Sequence, residues 1–186
     1  MLTRPESRSY LIASLGALIA AFTFLFLPFG TISYQMAGSQ RGITITAGDF
    51  TSNGAWFTLP LGVVWLSVLL LLAIIGIALY TLTQNTKSNT SEEIYHSRWA
   101  GEIITTLGIA SLVLYLWSYF LVTLRIQGVY PAQMQAGVSL GIGSLLTIFF
   151  MLVTIAGGVL TLTNKRKARK QSTGQLTIKN NAQAKL

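Results

Sequence analysis

Four long uncharged stretches restrict the possible folds of this chain more than any other feature of its sequence. Residues 9–40, 50–86, 103–124 and 126–164 contain no Asp, Glu, Lys or Arg. A helix needs about 20 predominantly apolar residues to cross a hydrocarbon core about 30 Å thick. Each stretch therefore has room for one such helix, and the sequence predicts an all-α integral membrane protein, a bundle of four transmembrane helices. The predicted spans are residues 10–29, 59–82, 99–124 and 138–163.

The composition excludes an ordinary soluble domain. Hydrophobic residues make up 52% of the chain and charged residues only 10%, against about 25% charged residues in globular chains. A cleaved signal peptide is the alternative for the first span. Its apolar stretch is too long and no Ala-x-Ala site follows Pro28, so we expect this helix to be retained. We divide the chain into a membrane domain, residues 1–163, and a tail, residues 164–186.

The distribution of cations predicts the orientation in the membrane. Four spans place both termini and the loop after the second span on one side, and that side holds all but two of the 13 Lys and Arg residues. The two exceptions, Arg41 and Arg125, lie on the other side. Because Lys and Arg are enriched in cytoplasmic loops, we expect both termini in the cytoplasm and the plasma membrane as the location. This bias also explains the net charge of +8, so we expect no nucleic-acid partner.

The first outer loop, residues 30–58, carries a strand pattern. Thr31–Met36 alternates between apolar and polar residues, Ala37–Gly42 offers Gly and Ser for a turn, and Ile43–Ala47 alternates again. This pattern predicts a small β-hairpin. Two strands alone are marginally stable in water. We therefore expect the hairpin to pack on the outer ends of the helices, with Ile32 and Tyr34 on its buried face.

The tail after the fourth span is basic and low in hydrophobicity, so we expect residues 164–186 to be disordered. Cations beside a membrane attract anionic lipid. The cations at the start of the tail either fix the orientation alone or also contact anionic lipid headgroups. They are Lys165, Arg166, Lys167, Arg169 and Lys170.

Patterns typical of catalytic, metal and nucleotide sites are missing from the sequence. Ionisable residues inside a membrane are typical of ion or proton pathways, but Glu102 and Arg125 lie at helix ends, where they can reach water. His96 is the single histidine and precedes the membrane boundary. Glu92 and Glu93 are adjacent, so they point to different faces of a helix. We expect no enzyme, no bound metal and no cofactor.

Aromatic residues cluster in the outer half of the third span. They are Tyr115, Trp117, Tyr119 and Phe120. Flat aromatic surfaces could hold a quinone, a carotenoid or another pigment. Helix packing and the aromatic belt of the outer interface give the simpler interpretation.

The fourth span separates small and polar residues from bulky ones. At 100° per residue, the small and polar residues fall within an arc of about 160°, and Gly137-x-x-x-Gly141 permits close approach of a second helix. We therefore predict a helix-packing interface, used either within this chain or with another protein. Its residues are Gly137, Gly141, Ser144, Thr147, Thr154 and Gly158.

The layout of four spans, a β-containing first outer loop and inner termini resembles the claudin-type arrangement in topology. The Trp–Gly-Leu-Trp–Cys–Cys loop signature of that family is missing, because Trp56 stands alone and the chain has no cysteine. The favoured interpretation is a non-catalytic accessory or structural subunit that packs against another membrane protein or forms a homo-oligomer. The alternatives are a small oligomeric channel or transporter, and a lipid- or pigment-binding subunit.

Overall fold

The computed structural model describes residues 5–36, 39–46, 61–87, 93–129 and 137–183. Its side chains are described within residues 7–33, 41–46, 63–84, 99–124 and 139–164. The described chain has four helices and three strands. In chain order they are α1 (Pro5–Phe26), β1 (Gly30–Met36), β2 (Ser39–Ile45), α2 (Leu61–Lys87), α3 (Glu93–Val129), β3 (Gly137–Leu140) and α4 (Ile142–Gln183).

The described chain is mostly helical, and all four helices are long and apolar enough to cross a membrane. The segments with this property are Ser7–Phe26, Val63–Gln84, Trp99–Leu124 and Ile142–Asn164. The prediction of four spans is confirmed by the length and composition of the helices, and the chain has the features of a multi-pass membrane protein. The first helix ends at Phe26, three residues earlier than predicted, because Pro28 lacks the N–H needed to continue it.

The four helices form a closed ring in which each helix packs on two neighbours. α1 contacts α2 and α4, and α3 contacts the same two helices. Two hydrogen bonds show that α1 and α4 are antiparallel. Asn164 Nδ2 donates to Ser9 Oγ at 3.3 Å, and Thr23 Oγ1 and Thr147 Oγ1 meet at 2.9 Å nearer the opposite end. We call the end with Ser9 and Asn164 the tail end, and the opposite end, which carries the strands, the sheet end.

The strands form one antiparallel sheet of order β2-β1-β3. The predicted hairpin is present as β1 and β2, in the register Ile32↔Ile43. Its second strand begins at Ser39, four residues before the predicted start. Residues 37–38 of the predicted turn and Ala47 lie outside the described residues.

The third strand was not predicted from the sequence. β3 pairs with β1 in the register Thr31↔Ser139, so the two loops at the sheet end are joined in one sheet. The predicted fourth span began at Val138, and this boundary is wrong because β3 occupies Gly137–Leu140 and α4 begins only at Ile142.

The sheet has one apolar and one hydroxyl-bearing face. Side chains alternate along a strand, so Ile32 and Ile45 lie on the same face in this register. Both are buried, with 5% and 1% of their surface exposed. On the other face, Ser139 Oγ donates to the Thr31 carbonyl at 3.2 Å. At Ile32 and Ile45 the apolar face covers the ends of the helices, as expected for Ile32, whereas Ile43 on the same face is 49% exposed. The side chain of Tyr34, predicted to be buried with Ile32, lies outside the described residues.

The tail differs from its prediction. α4 continues without interruption to Gln183, whereas the sequence analysis predicted disorder from residue 164. Extending a formed helix avoids the unfavourable nucleation step. Lys, Arg, Ala and Gln, which are frequent in this segment, are all good helix formers.

Candidate functional site: the helix-packing surfaces

The α4 face that was predicted to pack is buried within the chain, and one side of it contacts α1. The hydroxyl oxygens of Thr147 and Thr23 lie 2.9 Å apart, and both side chains are buried. Further along α4, Thr154 packs against Gly16. A Cβ added to this glycine would lie 2.7 Å from Thr154 Oγ1. Small residues and paired hydroxyls are the means by which transmembrane helices associate, and α1 and α4 use both.

The other side of the α4 face contacts α3 through two reciprocal glycine–threonine pairs. A Cβ added at Gly158 of α4 would lie 2.5 Å from Thr105 Oγ1 of α3. One turn along, the roles are reversed, and a Cβ at Gly101 of α3 would lie 3.2 Å from Thr161 Cγ2 of α4. Each threonine hydroxyl donates to a carbonyl of its own helix, Thr105 at 2.8 Å and Thr161 at 2.9 Å. At Gly101 this leaves the Thr161 methyl group facing the glycine, whereas at Gly158 the closest atom is the Thr105 hydroxyl oxygen itself.

Gly157 makes a close approach between two backbones. A Cβ added there would lie 2.7 Å from the backbone nitrogen of Ala13 and 2.9 Å from its Cα. Ala13 itself is fully buried. A backbone cannot rotate away as a side chain can, so any larger residue at position 157 must push α1 and α4 apart.

Gly137 and Gly141 lie outside the helix in which they were predicted. Gly137 belongs to β3, and Gly141 is the link between β3 and α4. The carbonyl of Gly141 accepts the first bond of α4 from the Leu145 N–H at 3.2 Å, while its own N–H donates to the Phe29 carbonyl at 3.0 Å. Gly143 N–H donates to the Pro28 carbonyl, also at 3.0 Å. Carbonyls of the link between α1 and β1 thus satisfy amides at the start of α4 and directly before it, which have no partner within that helix.

Ser144 links three segments at the sheet end. Its hydroxyl donates to the Phe29 carbonyl at 2.5 Å and lies 2.8 Å from the hydroxyl oxygen of Tyr115. Ser144 is on α4, Tyr115 is on α3, and Phe29 directly precedes β1. All three are buried. One hydroxyl therefore holds the sheet, α3 and α4 in a fixed relation.

The predicted aromatic cluster of α3 divides between two faces. Tyr115 is buried and packs edge to face with Phe24 of α1, at a centroid distance of 6.0 Å, and Tyr119 contacts the Phe29 ring at 6.0 Å. Trp117 and Phe120 are 54% and 49% exposed. Such a division leaves no single aromatic surface that contains all four predicted residues.

Ser67 and Ser111 form a contact that was not predicted from the sequence. Their hydroxyl oxygens lie 2.9 Å apart between α2 and α3. Ser67 Oγ also lies 3.0 Å from the Ser111 carbonyl, and Ser111 Oγ lies 3.1 Å from the Ser67 carbonyl. Both side chains are buried. The available signal was a single serine within a long apolar run, which indicates a polar contact between helices.

Gly76 of α2 differs from the glycines of α1, α3 and α4. A Cβ added there would meet no atom of the described chain within 4 Å. Ala73, on the same side of the helix, is also exposed. The surrounding leucines are half-exposed, among them Leu69 and Leu72. α2 therefore presents a shallow depression on its outward face.

Charged side chains lie at the ends of the described spans. These are Arg8 of α1 and Glu102 of α3, and both are exposed. Among the described residues, no three His, Cys, Asp or Glu side chains come together to form a metal site. The side chains of His96 and Arg125 lie outside the described set. The same holds for the five cations at the start of the tail, although their backbone is part of α4.

Comparisons with known proteins give no match: neither a family model nor a curated protein corresponds to this sequence. The packing geometry is therefore the basis for the functional proposal that follows.

Proposed function

We propose that this chain is a non-catalytic multi-pass membrane protein, an accessory or structural subunit that packs against other membrane proteins. The main support is the described interior, which is filled by apolar side chains and paired hydroxyls. The pair Ser67–Ser111 is one example. Ion pathways use ionisable groups inside the membrane, whereas Arg8 and Glu102, the charged side chains of the described spans, are exposed.

The outward face of α2 is the surface that we assign to a partner helix. Lipid tails are as apolar as leucine, so helices associate in a membrane where small residues permit close backbone approach. The small residues of α1, α3 and α4 achieve this within the chain, as Gly157 does with Ala13. Gly76 and Ala73 have the same chemistry and face outward. A transmembrane helix from another protein could approach α2 closely at this position.

Purification under mild detergent tests this proposal. We expect the wild-type chain to elute as part of a larger complex of fixed stoichiometry, and we expect Gly76→Leu to release the chain from it. Ala156→Leu is the matched control, because Ala156 is an exposed small residue of α4. This control variant should remain in the complex. A wild-type chain that elutes alone, or purified chain that carries solute across vesicle membranes, would contradict the accessory role.

We also propose that the tail end of the bundle faces the cytoplasm of a cell whose plasma membrane holds this protein. The asymmetry of Lys and Arg supports this orientation. Single cysteines at Asn85 and Ser52 test it, because the chain has no native cysteine. An impermeant thiol reagent should label position 52 in intact cells and should label position 85 only after lysis. The opposite pattern would invert the assignment.

A further inference from the structure

α4 extends well beyond the segment that can cross a membrane. The spanning part is Ile142–Asn164, and the helix continues to Gln183. At a rise of 1.5 Å per residue, residues 165–183 add about 28 Å of helix. Each cation-bearing residue from 165 to 183 therefore has a defined distance from the end of the span along the helix axis. In a disordered tail these distances would not be defined.

Five of these cations occupy the first turns beyond the span. We name them the basic collar: Lys165, Arg166, Lys167, Arg169 and Lys170. Their helix positions cover about 200° of the circumference at 100° per residue. The last of them is about 9 Å beyond Asn164 along the axis. The sequence contains no Asp or Glu after Glu102, so α4 provides no opposite charge to neutralise the collar.

The next cation lies much farther from the span. Lys179 is about 22 Å beyond Asn164 along the helix. Electrostatic interactions decay over a Debye length of about 8 Å at physiological ionic strength. The collar therefore lies within about one Debye length of the end of the span, and Lys179 lies almost three Debye lengths from it.

We propose that the basic collar is a binding site for anionic phospholipid headgroups of the adjacent leaflet. Phosphodiester groups of anionic lipids can balance the positive charge of the collar, and the backbone of α4 places the collar residues in the first turns beyond the span, next to the headgroup region. Each Lys or Arg near an anionic surface contributes to such binding, and its contribution falls off within a Debye length. The distance of each cation-bearing residue from the span along α4 thus determines whether it contributes to lipid binding. This site is independent of any protein partner.

Two variants with equal loss of charge test the site. In Lys165→Gln/Lys170→Gln, the collar variant, two collar cations are lost. In Lys179→Gln/Lys185→Gln, which we call the distant variant, the two cations that follow the collar in the sequence are lost. The full-length protein is reconstituted into phosphatidylcholine vesicles with spin-labelled phosphatidylglycerol or phosphatidylcholine. The motionally restricted fraction of each label gives the relative association constant. Reconstituted vesicles have the same lipids in both leaflets, so a change of orientation does not affect this measurement.

We expect the wild-type protein to prefer phosphatidylglycerol over phosphatidylcholine in 0.1 M salt. In the collar variant, the association constant of phosphatidylglycerol relative to phosphatidylcholine should fall by about fivefold or more. This is the factor expected for one cation near an anionic surface. The distant variant should retain it. In 1 M salt the Debye length shrinks to about 3 Å, and the preference of the wild type should disappear.

Three results would overturn the proposal. They are equal association of both lipids with the wild type in 0.1 M salt, equal changes in the two variants, and a wild-type preference that persists in 1 M salt. Equal losses would mean that the distant cations reach the membrane surface as readily as the collar, contrary to a continuous helix. Circular dichroism of both variants shows whether their helix content matches that of the wild type.

Discussion

α4 and α2 are both apolar helices with glycine near the middle, but they use this glycine in opposite ways. On α4, a Cβ at Gly157 would collide with the backbone of Ala13, and a Cβ at Gly158 with the Thr105 hydroxyl. On α2, a Cβ at Gly76 would enter open space. Glycine in a helix is unfavourable by about 1 kcal/mol relative to alanine. On α4 the close packing of the chain itself offsets this cost, and on α2 no described contact does.

A face of small residues in a sequence therefore does not reveal which helix packs against it. The arc on α4 was compatible with an internal neighbour or with another protein. The structure places Ser144, Thr147, Thr154 and Gly158 against α1 and α3 of the same chain. The outward depression lies instead on α2, whose glycine did not form part of a long small-residue pattern.

The largest expected effect is that of Gly157→Leu. The added side chain must displace the backbone of Ala13, which is tightly packed against Gly157. We therefore expect the free energy of unfolding to fall by about 3 kcal/mol or more. Ala156→Leu, one position away on the exposed side of α4, should leave stability nearly unchanged. Thermal unfolding in detergent, followed by size-exclusion chromatography, measures both. Similar unfolding temperatures for the two variants would contradict the close packing of α1 on α4.

A smaller but still substantial effect is expected for Gly141→Leu. Its Cβ would collide with the Pro28 carbonyl and lie 2.9 Å from the Gly30 nitrogen, so the junction between β1 and α4 must open. We expect the free energy of unfolding to fall by about 2–3 kcal/mol. Ile142→Phe adds bulk at a position that is 64% exposed and should be tolerated.

Amide hydrogen exchange gives a local measurement for the same variant. In the wild type, Thr31–Met36 should be protected because β1 pairs with β2 along its length, and most strongly at residues 31–33, which also pair with β3. Gly141→Leu should accelerate exchange there, whereas the middle of α2 should remain protected. Rapid exchange of β1 in the wild type would show that the sheet is not a stable part of the fold.

The sequence allowed the helices to be predicted better than the sheet, for a physical reason. A span requires about 20 apolar residues, and this length is visible in the sequence itself. β3 has four residues, and its partner Thr31 lies more than 100 positions away. A stretch that short cannot be distinguished from the first turn of a helix by its periodicity. The start of α4 was therefore placed too early, and Gly137 and Gly141 were assigned to the wrong element.

The division of the aromatic cluster could have been predicted. Tyr115 and Tyr119 are four residues apart and share a helix face, while Trp117 and Phe120 are three apart and share another. By contrast, the role of Phe29 could not be inferred locally. Its carbonyl accepts from Ser144 and from Gly141, both distant in sequence, and these bonds require the assembled fold.

An effect of about 0.6 kcal/mol, with about 1.7 kcal/mol as the upper limit, is expected from the coupling between Ser67 and Ser111. Those are the values typical of hydrogen bonds between membrane helices. A double-mutant cycle with Ser67→Ala and Ser111→Ala isolates this coupling. Ser118→Ala is the control, because Ser118 donates at 2.7 Å to the Leu114 carbonyl of its own helix. If the cycle gives additive losses, the two hydroxyls do not stabilise the α2–α3 contact together.

The smallest effect on the isolated chain is expected for Gly76→Leu, and its sign is opposite to that of Gly157→Leu. A Cβ at this position meets no described atom within 4 Å, and leucine has a higher helix propensity than glycine, by somewhat less than about 1 kcal/mol. We therefore expect the isolated chain in detergent to unfold at an equal or slightly higher temperature. The same variant should weaken any complex formed through α2, because the leucine occupies the space needed by a partner backbone. Opposite changes in the two measurements would assign Gly76 to an external contact. A destabilised isolated chain would instead show that Gly76 packs within the chain, and the contrast between α2 and α4 would then fail.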